Sequence, residues 1–143
     1  MIKTYSFENC TLSITHPDVG TYPMYGAGLG QVQVSRESEI TMHDVSADLS
    51  VLISRSAKKN GMLMVTVLQA SEANDFLNRL CNYLETCNVE RFARGTAVLE
   101  SASTGETWRC KGVTHQKMPD RSYDARGGMV QYTFMVAELT LQQ

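Results

Sequence analysis

The clearest hydrophobic pattern lies in residues 61–84, GMLMVTVLQASEANDFLNRLCNYL. Leu63, Val65 and Val67 alternate with Met64, Thr66 and Leu68, the two-residue period of a β-strand. Both sets are largely apolar, which predicts a strand covered on each face. Ser71 follows as an N-cap, and Asp75 in the opening turn suits the positive end of a helix dipole. Ala73, Phe76, Leu77, Leu80 and Leu84 then fall on one stripe at helical spacing. Asn74, Asn78, Arg79, Asn82 and Glu85 fill the remaining positions. The spacing predicts one helix over about 71–86, laid by one face on a sheet.

Around this unit the period-2 pattern recurs. Residues 4–15 read as a first strand, with Tyr5 and Phe7 out of phase with Leu12 and Ile14, so a bulge or turn is expected near Glu8 and Asn9. Residues 16–30, with two prolines, four glycines and two tyrosines, read as a long loop of the kind that tends to be functional. Val32 and Val34 open a second strand ending near Arg36, and residues 37–48, with four acids, read as an excursion from the sheet. Leu49, Val51 and Ile53 share one face of a further strand, and Asn60-Gly61 signals a hairpin into the 61–68 strand. Residues 98–102 and 108–114 flank a second hairpin turn, and 118–128 form a loop. In the last strand Val130, Tyr132, Phe134 and Val136 oppose Met135, Ala137, Leu139 and Leu141, apolar on both sides and therefore central or covered by something. The expected fold is mainly β, a β-sandwich or small barrel of about seven strands with one flanking helix, in a single domain over 1–143.

Composition narrows the chemistry. The chain is 43% hydrophobic and 20% charged with net charge −2, a globular composition without the basic field of a nucleic-acid wrapper. No apolar run reaches membrane-spanning length, so no membrane insertion is expected, and the N-terminus lacks a signal-like apolar segment. Cys10, Cys81, Cys87 and Cys110 form no CxxC pair, and His16, His43 and His115 stand singly, so buried free thiols are expected rather than a metal site. The glycines at 26, 28 and 30 precede a strand instead of opening a helix, and no Walker lysine follows, so no nucleotide cofactor is implied. Asp44, Ser46 and Asp48 alternate and could share a side, but no third ligand or serine elbow makes a catalytic centre. Tyr22, Tyr25 and Tyr123 offer aromatic surface to a partner or caps to the barrel ends.

The runs GAGLGQVQVSR, DVSADLSVLISRS, NGMLMVTVLQASEANDFLNRL and MPDRSYDARGGMVQYTFMVAEL together resemble tail tube proteins of contractile-tailed bacteriophages. The most specific part is Leu68-Gln69-Ala70-Ser71 with residues 74–77, coupled to Pro119, Gly127-Gly128, Tyr132 and Ala137. Leu49 departs from the pattern, since a glycine-like turn is expected there. The resemblance implies a relative of type VI secretion tubes, self-assembling into stacked hexameric rings inside a contractile sheath. Phage DNA would pass through the lumen on ejection. The implied partners are other copies, sheath, baseplate and tail terminator proteins, and, transiently, the tape measure protein and DNA. The implied location is the virion tail, with synthesis in the host cytoplasm.

Under that resemblance, open strand edges become joints between subunits. Residues 16–30 and 37–48 would carry ring-to-ring contact, with Tyr22, Tyr25, Gly26, Gly28, Asp44 and Asp48 as candidate contact residues. Carboxylates facing the lumen would keep phosphate from sticking. Three other functions compete. One is a small ligand-binding barrel using Trp108 and the loop tyrosines, and another a type VI secretion-like tube protein or another virion component such as a tail terminator. The last is a hydrolase built on the acids of 37–48.

Overall fold

The computed structural model describes residue 2, residues 4–24 and residues 29–143. A single 3-10 turn, Phe7–Asn9, leads into β1 (Cys10–His16), β2 (Gly20–Met24), β3 (Leu29–Arg36), β4 (Thr41–Val45), β5 (Val51–Arg55) and β6 (Gly61–Leu68). Helix α1 (Glu72–Thr86) and the short α2 (Val89–Phe92) precede β7 (Gly95–Ser101), β8 (Glu106–His115) and β9 (Met129–Gln142). Seven strands form one antiparallel sheet in the order β2-β1-β7-β8-β9-β6-β3, curled into a half-barrel. β4 and β5 pair only with each other, outside that sheet.

Alternation places one apolar face of the sheet inward. Leu12 and Ile14 in β1, Leu63, Val65 and Val67 in β6, and Tyr132, Phe134 and Val136 in β9 are all buried. The predicted helix stripe closes over them: Ala73, Phe76, Leu77, Leu80 and Leu84 are buried, joined by Cys81. Each large side chain in that stripe contributes about 1.5–3 kcal/mol by leaving water. The Ser71 hydroxyl caps the helix by accepting from the Asn74 N–H at 3.3 Å. Against β7 the register shifts between Gly95 and Thr96, leaving Gly112 as the extra residue of a bulge in β8, with φ +68°. A side chain there would press on Ala137, its Cβ 2.7 Å from the alanine's, so glycine is required on both counts.

Several local expectations change. The phase break near Glu8 is a 3-10 turn held by Ser6, and the strand starts only at Cys10. Within residues 16–30 the chain makes the edge strand β2, hydrogen-bonded along β1 from Leu12 to His16, and Pro23 is tolerated because that strand is an edge. Asn60-Gly61 makes no hairpin, because β5 leaves the sheet and β6 pairs with β3 and β9 instead. The Asn60 amide donates to Glu37 at 2.9 Å, tying the two ends of the excursion together. β6 is covered on one face only, with Met62, Met64 and Thr66 half-buried on the other.

Candidate assembly surfaces

The most unusual surface is the β4–β5 arm. Every residue from Glu39 to Ile53 is exposed, including Ile40, Met42, Val45, Leu49, Val51, Leu52 and Ile53, each more than half exposed. An isolated two-stranded ribbon is marginal in water, and a concentration of exposed aliphatics marks an interaction site. Its base is fixed by the Ser56 N–H donating to the Ile40 carbonyl at 2.7 Å and the Glu37 N–H to the Asn60 carbonyl at 3.3 Å. At its tip the Asp48 carboxylate accepts from the Ser46 hydroxyl and from the Ser50 N–H at 3.1 Å. The Ser46 hydroxyl is the main reason that the Asp48 carboxyl lies below its usual range. Leu49 adopts φ +68° to complete the turn, a conformation that costs a residue with a Cβ about 1–2 kcal/mol.

A second surface is the sheet face turned away from the helix over β3, β6 and β9. Register and alternation set Gln31, Gln33 and Ser35 beside Met62, Met64 and Thr66, and these beside Gln131, Thr133 and Met135. None of these nine positions carries a charge. The corresponding outward face of β7, β8 and the end of β9 bears Glu100, Arg109, Lys111 and Glu138. Lys117 and Asp120 stand at the rim of the uncharged face, lining a hollow with Gln131 and Thr133.

Two polar clusters hold the framework behind these surfaces. Buried His16 accepts from the Asp18 N–H at Nδ1 (3.1 Å) and donates from Nε2 to the Arg91 carbonyl (2.9 Å), which fixes the neutral tautomer. The Asp18 carboxylate accepts from the Tyr83 hydroxyl at 2.5 Å and from Arg91 at 2.9 Å. The tyrosine's hydrogen bond, with the Arg91 guanidinium beside it, holds the Asp18 carboxyl below the usual carboxylate range. Under the helix, the Tyr132 hydroxyl donates to Asn74 at 2.7 Å and lies 2.9 Å from the Asn78 amide oxygen. Arg121, from the strap of residues 116–128, bonds Asn78 and reaches the Tyr132 hydroxyl at 3.2 Å.

The sequence-derived contact residues are therefore spread over the molecule. Asp44 lies in β4 opposite Leu52, and Asp48 shapes the tip. Tyr22 turns inward and stacks on Phe76, ring centroids 5.3 Å apart, because β2 lies over the helix edge rather than in a loop. Tyr25, Gly26 and Gly28 lie outside the described residues. Tyr123 is exposed on the strap. The sequence reading missed the uncharged face, whose signal was the run of glutamine, threonine and methionine at alternate positions.

Burial pushes the Cys81 thiol up to about 12 and the Cys110 thiol to about 11, so both are unreactive apolar groups. Among the described residues no three His, Cys, Asp or Glu side chains come together as a metal site. Among them, too, no helix is long and apolar enough to cross a membrane.

The curled sheet thus presents two outermost strands, an exposed aliphatic arm and an uncharged face. The chain belongs to the family of the bacteriophage PhiTE tail tube protein, which matches residues 2–142. It is similar in fold to three components of contractile systems. The PVC sheath/tube terminator of an extracellular contractile injection system, in the extended state, has a TM-score of 0.66 at 10% identity, with 100% of this chain and 99% of that one covered. For the PVC sheath-tube complex in its extended state the TM-score is 0.60 at 11% identity, covering 97% and 91%. The anti-feeding prophage baseplate, 6-fold symmetrised, gives 0.63 at 9% identity, covering 99% and 97%. No curated protein sequence matches the chain.

Proposed function

We propose that the chain is the subunit of the inner tube of a contractile phage tail. It has no enzymatic activity, is made in the host cytoplasm and assembles into homo-hexameric rings stacked inside the sheath. The observation that carries this reading is the arm. Its exposed aliphatics are stable in water only when another chain covers them, and the rest of the subunit folds without them. β2 and β3, outermost at opposite ends of the sheet, supply the edges by which neighbours continue it around a ring. Six-fold order is supported by the symmetry of the similar baseplate component. Sheath, baseplate and terminator proteins follow as partners, and tape measure protein and DNA as transient occupants of the bore. In this arrangement the arm makes the ring-to-ring contact.

The ligand-binding alternative, built on Trp108, loses ground on size at that residue. The apolar cleft beside Trp108 has a volume of about 110 Å³, against about 300–1,000 Å³ for pockets that enclose small molecules.

The uncharged face over β3, β6 and β9 suits the bore better than the carboxylates expected from the sequence. A neutral lining neither holds phosphate nor repels the polymer from its path. Negative-stain electron microscopy of concentrated protein, with its mass in solution, tests the reading: hollow tubes or rings are expected, and a monomer at every concentration counts against it. With Gln33→Lys and Gln131→Lys together, tubes are expected to form and to retain added DNA. That retention should fall several-fold as salt rises from about 50 to 200 mM. Tubes that retain no more DNA than the native protein would remove this face from the bore.

A further inference from the structure

Leu49 is, among the described residues, the single non-glycine position with a left-handed backbone. Glycine or asparagine would make the same turn with less strain. The leucine side chain is 82% exposed and lies outside the buried core, so nothing within the subunit repays that strain. Strain of this kind persists where the side chain does something elsewhere.

We propose that Leu49 is the arm's anchor, seated in a second copy of this chain, in the cleft lined by Tyr5, Phe7, Val32, Leu99 and Trp108 with Cys10. The proposal rests on the tube reading. Apolar side chains line the cleft together with Ser101 and Glu106, and its roughly 110 Å³ suits one aliphatic side chain. At its wall the Ser101 hydroxyl is buried without a hydrogen-bond partner. Because tip and cleft are different surfaces, the contact is head-to-tail, the kind that builds rings and open stacks rather than closed pairs.

Four forms of the full chain test this: the native protein, Leu49→Gly, and Leu49→Cys with and without Cys10→Ser. Leu49→Gly is expected to melt at the same temperature or higher as a subunit, because the turn relaxes. Its yield of tubes is expected to fall at least tenfold. A turn-forming role alone would leave tube yield unchanged or improved. In assembled Leu49→Cys protein, diamide is expected to join chains. The two thiols give up two protons and two electrons to the diamide as the S–S bond forms between position 49 of one copy and Cys10 of the next. Cys10→Ser should abolish that product. Native tubes accompanied by normal Leu49→Gly tubes, or crosslinks that survive Cys10→Ser, overturn the proposal while leaving the tube reading intact. Native protein that forms no tubes overturns both.

Discussion

Replacing residues 40–55 with a short glycine–serine linker is expected to give a folded monomer that forms no tubes. The arm supplies none of the buried core, and the backbone bond from Glu37 to Asn60 lies outside the deleted segment, so the linker need only bridge neighbouring ends. Stability should change by about 0.5 kcal/mol or less, as for other surface changes away from packed features. Assembly should respond far more. Seven large aliphatics leave the molecule, Ile40, Met42, Val45, Leu49, Val51, Leu52 and Ile53. If each is buried between subunits, the gross loss is about 10–20 kcal/mol at about 1.5–3 kcal/mol per side chain. Association costs of similar order oppose that gain, so removing it decides whether rings stack. Circular dichroism melts and electron microscopy of the same sample check the two halves. A deletion that still stacks into tubes of normal length would show that the arm is not the joint.

That an excursion exists here was legible in the sequence; its form was not. The four acids of residues 37–48 suggested a polar loop, yet the decisive residues were the aliphatics on both sides of a free ribbon. Periodicity reports two faces and cannot say whether either is covered by the same chain. The same ambiguity affected β6 and β9, where apolar residues on both sides implied cover on both faces. The helix was read closely because cap, dipole and stripe agreed over 15 residues, and no neighbour had to be known. Its one misplaced residue is Asn74, assigned to the polar side but buried, because its partners come from distant β9 and from Gln69, just past β6. Leu49 broke a turn expectation without breaking the turn: the backbone takes the glycine-like conformation with a leucine in place.

The largest single-residue loss of stability is expected at that buried polar site. Tyr132 is 1% exposed, stacks beside Phe134 at 6.2 Å, and has Asn74, Asn78 and Arg121 within hydrogen-bonding distance of its hydroxyl. Tyr132→Ala removes the ring and strands the asparagines, at a cost of about 3–5 kcal/mol for the lost ring burial and the cavity together. Set against a total of about 5–15 kcal/mol, this takes the protein close to unfolding at room temperature. Tyr132→Phe keeps the ring but leaves the Asn74 oxygen unpaired, at about 1–3 kcal/mol. Urea unfolding measures both, and equal losses would mean that the hydroxyl carries the whole effect. The phenylalanine variant also separates packing from strap anchoring, since Arg121 loses a partner while the ring remains beneath it. Hydrogen exchange should quicken over residues 117–128 and stay unchanged in α2. Alkaline pH adds an independent check. Burial raises the Tyr132 hydroxyl from 10.0 to about 12, so the folded state keeps a proton that the unfolded chain releases sooner. The resulting stabilisation is intact below pH 10 and is lost as pH climbs toward 12. Tyr132→Phe, having no such proton, should show a shallower fall across that window.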